Sequence, residues 1–290
     1  MSAIKLAGDL SSSQRLNINR ELELDLGGHT LTNTIAHSKT SGYVINVDEG
    51  GKLTLKNGAI TAQTRLGLAK NGGQIVIDSG TYTSVRNVAF TAIDGGKVTF
   101  NDGTIYSQEG GITAPGNGGI IEVNGGLIET ADNFAISTNG NAGNDHNVIT
   151  INGGRMVGNI TSTGYEAIGI YVANNDTLTV NGGEIVANGG TGICMRGGTV
   201  VINDGTITAL KNNKAGQPVP DGKIGDDATI AEGVSAIVYH KSSDYQNAGM
   251  NLTINGGTII GVDKSIDVIG DENPSITING GTLTPAYSAA

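Results

Sequence analysis

Acid–base chemistry in this chain would fall to a small number of acidic and imidazole side chains. Asp145 and His146 are adjacent, and so are Asp226 and Asp227. A carboxylate beside an imidazole can pass a proton, and two neighbouring carboxylates can divide the acid and base roles of glycoside cleavage. These four residues are the candidate catalytic positions, and both pairs fall in stretches that read as loops. Other acids, such as Asp94, Asp176 and Asp244, do not recur at matching places along the chain. His29, His37, His146 and His240 have none of the spacings that build a metal site. The calcium-roll phrase Gly-Gly-x-Gly-x-Asp does not occur, so no metal or other cofactor is expected.

Whatever chemistry these residues perform, a repeat must position them. Its clearest copies are Leu252-Thr253-Ile254-Asn255-Gly256-Gly257-Thr258-Ile259 and Ile276-Thr277-Ile278-Asn279-Gly280-Gly281-Thr282-Leu283. The last turn residue of successive copies falls at His29, Gly58, Gly80, Gly103, Gly126, Gly154, Gly183, Gly205, Gly257 and Gly281. A spacing of about 22 residues, widened where loops are inserted, is the mark of stacked supersecondary units. Each unit holds an apolar-x-apolar strand such as Leu53-Thr54-Leu55, a second strand after the turn such as Ala59-Ile60-Thr61-Ala62, and a less regular third such as Val88-Ala89-Phe90.

Asn-Gly between two strands ordinarily signals a hairpin. Here the strands are short and a third always intervenes before the phrase returns, so the turn bends a coil. The sequence therefore predicts an all-β fold: a single-stranded right-handed parallel β-helix, a solenoid of roughly ten to eleven three-strand coils. One domain is expected over 1–290, with N-terminal capping strands in 1–23 (strands over 3–10 and 16–26) and repeat coils over 24–284.

The turn residues fit that reading. Asn holds the first turn position in the last seven copies, at Asn101, Asn124, Asn152, Asn181, Asn203, Asn255 and Asn279. Stacked amides of this kind can hydrogen-bond from coil to coil in a ladder. Gly at the third turn position implies positive φ.

Composition excludes several functions. The net charge is −10 and no Lys/Arg cluster is present, so nucleic acid is not an expected ligand. No apolar run reaches the roughly 18 residues of a membrane span, so no membrane insertion is expected. The start, Met1-Ser2-Ala3-Ile4-Lys5-Leu6, lacks the pattern of a secretion signal. With no Trp and three Phe, the core must be aliphatic. Cys194, the single cysteine, reads as an apolar filler. An ice-binding Thr-x-Thr array begins at 30/32, 81/83, 206/208 and 282/284 but is broken by Glu129, Arg155 and Glu184.

Insertions fall near 33–42, 139–147, 158–166, 211–233 and 241–250. Loops lengthened against a strict repeat are the default contact surface. The longest, 211–233, is the expected partner-contact loop, through Lys211, Asn212, Lys214, Pro218, Pro220 and Asp221.

The run Leu24-Asp25-Leu26-Gly27-Gly28-His29-Thr30-Leu31, followed by the Leu-Thr-Ile-Asn-Gly-Gly-Thr-Ile coils, resembles the pectate-lyase-like right-handed parallel β-helix superfamily. It is most similar to the Gly/Asn/Thr-rich repeat proteins of tailed-phage virions and bacterial surfaces. The resemblance specifies stacking and carries over no catalytic residue. It implies a non-enzymatic virion component, a head decoration, head fibre or other appendage. Such a protein would dock on a capsid or tail structural protein, form a homo-oligomer (a trimer), and contact a host glycan. The alternatives are a bacterial cell-surface adhesin domain and a polysaccharide lyase or hydrolase.

Overall fold

Alternation of apolar and polar residues gives each strand one face to bury. In Val148–Ile151, Ile149 and Ile151 are fully buried while Thr150 between them faces out. The computed structural model describes residues 2–37, 42–138, 146–160, 167–210, 234–240, 249–270 and 273–285. Every regular element among them is a strand, and the strands form three parallel sheets of eleven, eleven and ten strands. The first sheet runs from Ser2–Lys5 through Glu21–Asp25 to Ser275–Ile278, and the second from Leu10–Ser12 to Thr282–Pro285. The third runs from Leu16–Ile18 to Lys264–Ile269. Consecutive strands never pair; each pairs with its equivalent one coil away, as Gln74 with Lys97 and Lys97 with Ile120. The fold is a parallel β-helix. At about 4.8 Å per coil, eleven coils stack to a rod roughly 50 Å long.

The stretches 3–10 and 16–26 hold four strands where two were predicted: Ser2–Lys5, Leu10–Ser12, Leu16–Ile18 and Glu21–Asp25. Bends at Ala7-Gly8 and Arg20 interrupt them, so residues 2–18 already make a complete coil. Ile4 and Leu10, which pair with Leu24 and Leu31, face the interior yet are 49% and 47% exposed. At the far end Ile278, which pairs with buried Ile254, is 52% exposed. The described residues thus leave core side chains open at both ends of the stack.

Between the ends runs one continuous aliphatic core from Ile18 to Ile259. Two of its aromatic members, Tyr82 and Phe90, meet edge-to-face at 5.9 Å. The buried Tyr82 hydroxyl donates to the Ser79 carbonyl at 2.7 Å.

Two kinds of turn close each coil. Between the first and second sheets, the Asn side chains form an unbroken ladder. Each Nδ2 donates to the Oδ1 of the preceding coil, from Asn279 to Asn255, Asn203, Asn181, Asn152, Asn124 and Asn101 at 2.8–2.9 Å. Asn101 ends the series by donating to Asp78 at 2.7 Å. The third turn position has positive φ from Gly80 to Gly281, as at Gly103 (φ 107°). Gly58 departs, because there Asn57 takes the left-handed conformation (φ 57°). Gly58 is needed for space instead: a Cβ would collide with Leu26 and the His29 carbonyl.

Between the third sheet and the first, a second Gly-Gly turn recurs. In Lys70-Asn71-Gly72-Gly73 and Ile93-Asp94-Gly95-Gly96 both central residues have φ between 52° and 79°. The fourth amide donates to the first carbonyl at 2.8 Å in each, the pattern of a type I′ turn. Farther along the same bend, side chains do the stacking. Asn147 Oδ1 accepts from the Gly119 amide, and Asp176 Oδ1 from the Asn147 amide, both at 2.7 Å and all buried.

Candidate functional site

The turn between the first and second sheets is short in every coil. The predicted insertions therefore fall at the two bends that flank the third sheet, and that sheet differs from the others on its outer face. Its outward column runs Asn17, Asn46, Leu68, Thr91, Thr113, Ser137, Tyr171, Cys194, Val238, Asp267 in successive Cα pairs. From Leu68 onward every member is buried. Tyr43 reaches over it, its hydroxyl 3.0 Å from Thr91 Oγ1, which in turn lies 3.0 Å from Thr113 Oγ1; the Arg65 guanidinium stacks 5.4 Å above the Tyr43 ring. Farther along, Ile168, Tyr171, Ala173, Cys194 and Val238 form an apolar cluster, which is where the free thiol sits. Beyond it Arg196 contacts His240, and Lys264 pairs with buried Asp267 at 2.7 Å. Burial, with Arg196 beside it, holds the His240 pKa below the usual imidazole value, and Asp267 opposes the shift.

A groove opens where the second sheet bends toward the third. It has a volume of about 340 Å³. One wall is the outward column Thr83, Tyr106 and Glu129, three successive Cα partners. The other is the bend residues Val85, Gln108 and Ala131, with Ser84, Ser107 and Thr130 at the floor and Asn159 at one end. The repeat places these side chains side by side although they are more than twenty residues apart in sequence. Tyr106 and Val85 are 41% and 38% exposed, which gives the groove an apolar rim.

Polar groups fix its shape. Asn159 Nδ2 donates to the Thr130 carbonyl at 2.7 Å and to Glu129 Oε1 at 3.2 Å, and Asn188 donates to Asn159 Oδ1 at 2.7 Å. Gln108 donates to Asp132 at 2.8 Å, and Ser84 Oγ to the Thr64 carbonyl at 3.0 Å. Ser107 Oγ is buried in the floor with no hydrogen-bond partner. An exposed aromatic ring beside a carboxylate and the Gln108 side chain match the alternating C–H and O–H surfaces of a sugar ring. Among the described residues Glu129 is the one carboxylate lining the groove; two-carboxylate glycoside cleavage uses a facing pair.

The residues singled out from sequence fare unevenly. Asp145, Asp226 and Asp227 lie outside the described residues, as do Lys211, Asn212, Lys214, Pro218, Pro220 and Asp221. His146 is exposed on the bend before Val148–Ile151. No group of three or more His, Cys, Asp or Glu that could hold a metal ion occurs among the described residues. Glu129, Arg155 and Glu184 do interrupt the outward Thr columns of the second sheet, and Arg155 pairs with Glu184. Glu129 was visible in the sequence as a break in a Thr array; the groove it shares with Tyr106 was not. Comparison with known proteins found no matching family model, no similar curated protein and no similar solved structure.

Proposed function

We propose that the protein is a non-enzymatic structural component of a tailed-phage virion, related to the Gly/Asn/Thr-rich branch of the pectate-lyase-like superfamily. In this reading it docks on a capsid or tail protein, projects a rigid rod, and contacts a host saccharide through the Tyr106–Glu129 groove. The observation that carries it is the repetition: an eleven-strand sheet with an unbroken amide ladder makes a stiff spacer. The groove on its flank offers an exposed aromatic ring beside the Glu129 carboxylate, a pairing suited to holding a sugar.

Two measurements test the reading. Imaging of intact particles should show the rod at regular positions on head or tail, and purified chain should bind particles that lack it; failure of both removes the virion assignment. Separately, Tyr106→Ala should weaken binding to host surface polysaccharide at least tenfold without shifting the melting temperature. Unchanged binding would remove the groove from the proposal.

A further inference from the structure

On the outer face of the second sheet one column of residues runs the length of the rod, one member per coil, from Ser11 to Thr284 in successive Cα pairs. Most of its members are Ser, Thr, Val or Ile. Tyr106 is its one aromatic residue and Glu129 its one charged residue, and the two are neighbours. Both line the groove. On parallel strands about 4.8 Å apart, a ring and a carboxylate in the same column lie within reach of a single small group.

Together they have the chemistry of a cation site. An aromatic ring attracts a positive charge seated over it within about 6 Å of its centre. A carboxylate beside the ring adds an ion pair and accepts charge-assisted hydrogen bonds from N–H donors. Glu129 is half-buried and held in place: Asn159 donates to its Oε1 at 3.2 Å, and Asn188 donates to Asn159 at 2.7 Å. Negative charge also backs the opposite wall, where Asp132 accepts from the Gln108 amide at 2.8 Å. With its volume of about 340 Å³ the groove is at the small end of ligand pockets, which suits a short stretch of a polymer.

We propose that the saccharide held in this groove carries a free, protonated amine, so that its units are amino sugars that have not been acylated. The inference rests on the saccharide reading of the groove and names the class of sugar. The sugar ring lies against Tyr106 and its ammonium reaches Glu129. Acylation of the amine removes the charge and leaves the carboxylate an amide in place of an ion pair. A uronic acid would bring a second carboxylate against Glu129, a like-charge contact that costs affinity. At longer range the net charge of −10 draws a cationic polymer toward the rod and repels an acidic one.

Calorimetric titration of the full chain with tetrasaccharides, at about pH 6 so that the sugar amines carry their protons, is the test. The glucosamine tetramer should bind roughly tenfold more tightly than the N-acetylglucosamine tetramer, and the galacturonate tetramer more weakly than either. Added salt should weaken binding of the glucosamine tetramer and leave that of the acetylated one unchanged. Glu129→Gln should bring these two to the same affinity, Glu21→Gln on the first sheet should keep the preference, and Tyr106→Ala should weaken both. Should Glu129→Gln fold poorly, the salt comparison on the wild type decides. Equal affinity of the wild type for the glucosamine and N-acetylglucosamine tetramers would overturn the proposal. So would a preference that survives in folded Glu129→Gln, or a lysine tetrapeptide that binds as tightly as the glucosamine tetramer. Equal affinities that both fall in Tyr106→Ala would remove the charge selectivity and keep the groove as a sugar site, whereas affinities indifferent to Tyr106→Ala would remove the saccharide reading itself.

Discussion

Asn181 illustrates how much one residue can contribute in a repeat. Its amide donates to Asn152 and its carbonyl accepts from Asn203, so Asn181→Ala breaks two bonds of a series. Asn279 makes its ladder bond on one side only. Each such bond has a net worth of about 0.5–1.5 kcal/mol, and these side chains are solvent-exposed, which favours the low end. Chemical denaturation should show Asn181→Ala destabilised by about 1–2 kcal/mol and Asn279→Ala by about half as much; equal costs would mean that stability does not follow the number of ladder bonds broken. Asp48 gives the corresponding pH test. Hydrogen bonds from Asn71, the Glu49 amide and Lys70 hold its pKa at about 2, down from the usual 3.8. A depressed carboxylate contributes stability above its unfolded value and loses it as pH falls through the folded one. Melting temperatures should thus fall between pH 4 and pH 2 by less in Asp48→Asn than in wild type, and parallel pH profiles would exclude the contribution.

At the scale of strands and turns, the sequence was most legible where one phrase did one job. The Asn-Gly-Gly turn revealed the coil period, and apolar alternation such as Leu252-Thr253-Ile254 revealed the buried face. The second turn, at Asn71-Gly72-Gly73 and Asp94-Gly95-Gly96, uses nearly the same letters and was hidden behind the first. At the N-terminus, where no such phrase marks the bends at Gly8 and Arg20, two strands were read for four. The outer face of the third sheet was illegible for a different reason. From Leu68 to Val238 its column of Leu, Thr, Ser, Tyr, Cys and Val carries no charge and is buried like the core, so the two-residue period that separates inside from outside fails. The groove escaped because Thr83, Tyr106, Glu129 and Asn159 become neighbours only once the coils are in register.

The whole molecule behaves as a one-dimensional stack in which each coil depends chiefly on its two neighbours. Deleting residues 104–126, one full period from Gly103 to Gly126, should join Gly103 to Leu127 with every sheet still in register. The shortened chain should keep its β-sheet circular dichroism and a single thermal transition, yet lose saccharide binding because Tyr106 leaves with the coil. Aggregation of this variant, but not of one shortened by half a period, would contradict the stacking account. The direction of the Asn ladder has a consequence for how such a stack is made. Every amide donates backward to the coil before it in sequence, and the series stops at Asp78, whose Oδ1 accepts from Asn101. A chain emerging from the ribosome N-terminus first therefore lays each new coil on an acceptor already in place. In that order Asp78 stands at the head of the ladder and Asn279 is the last to join it.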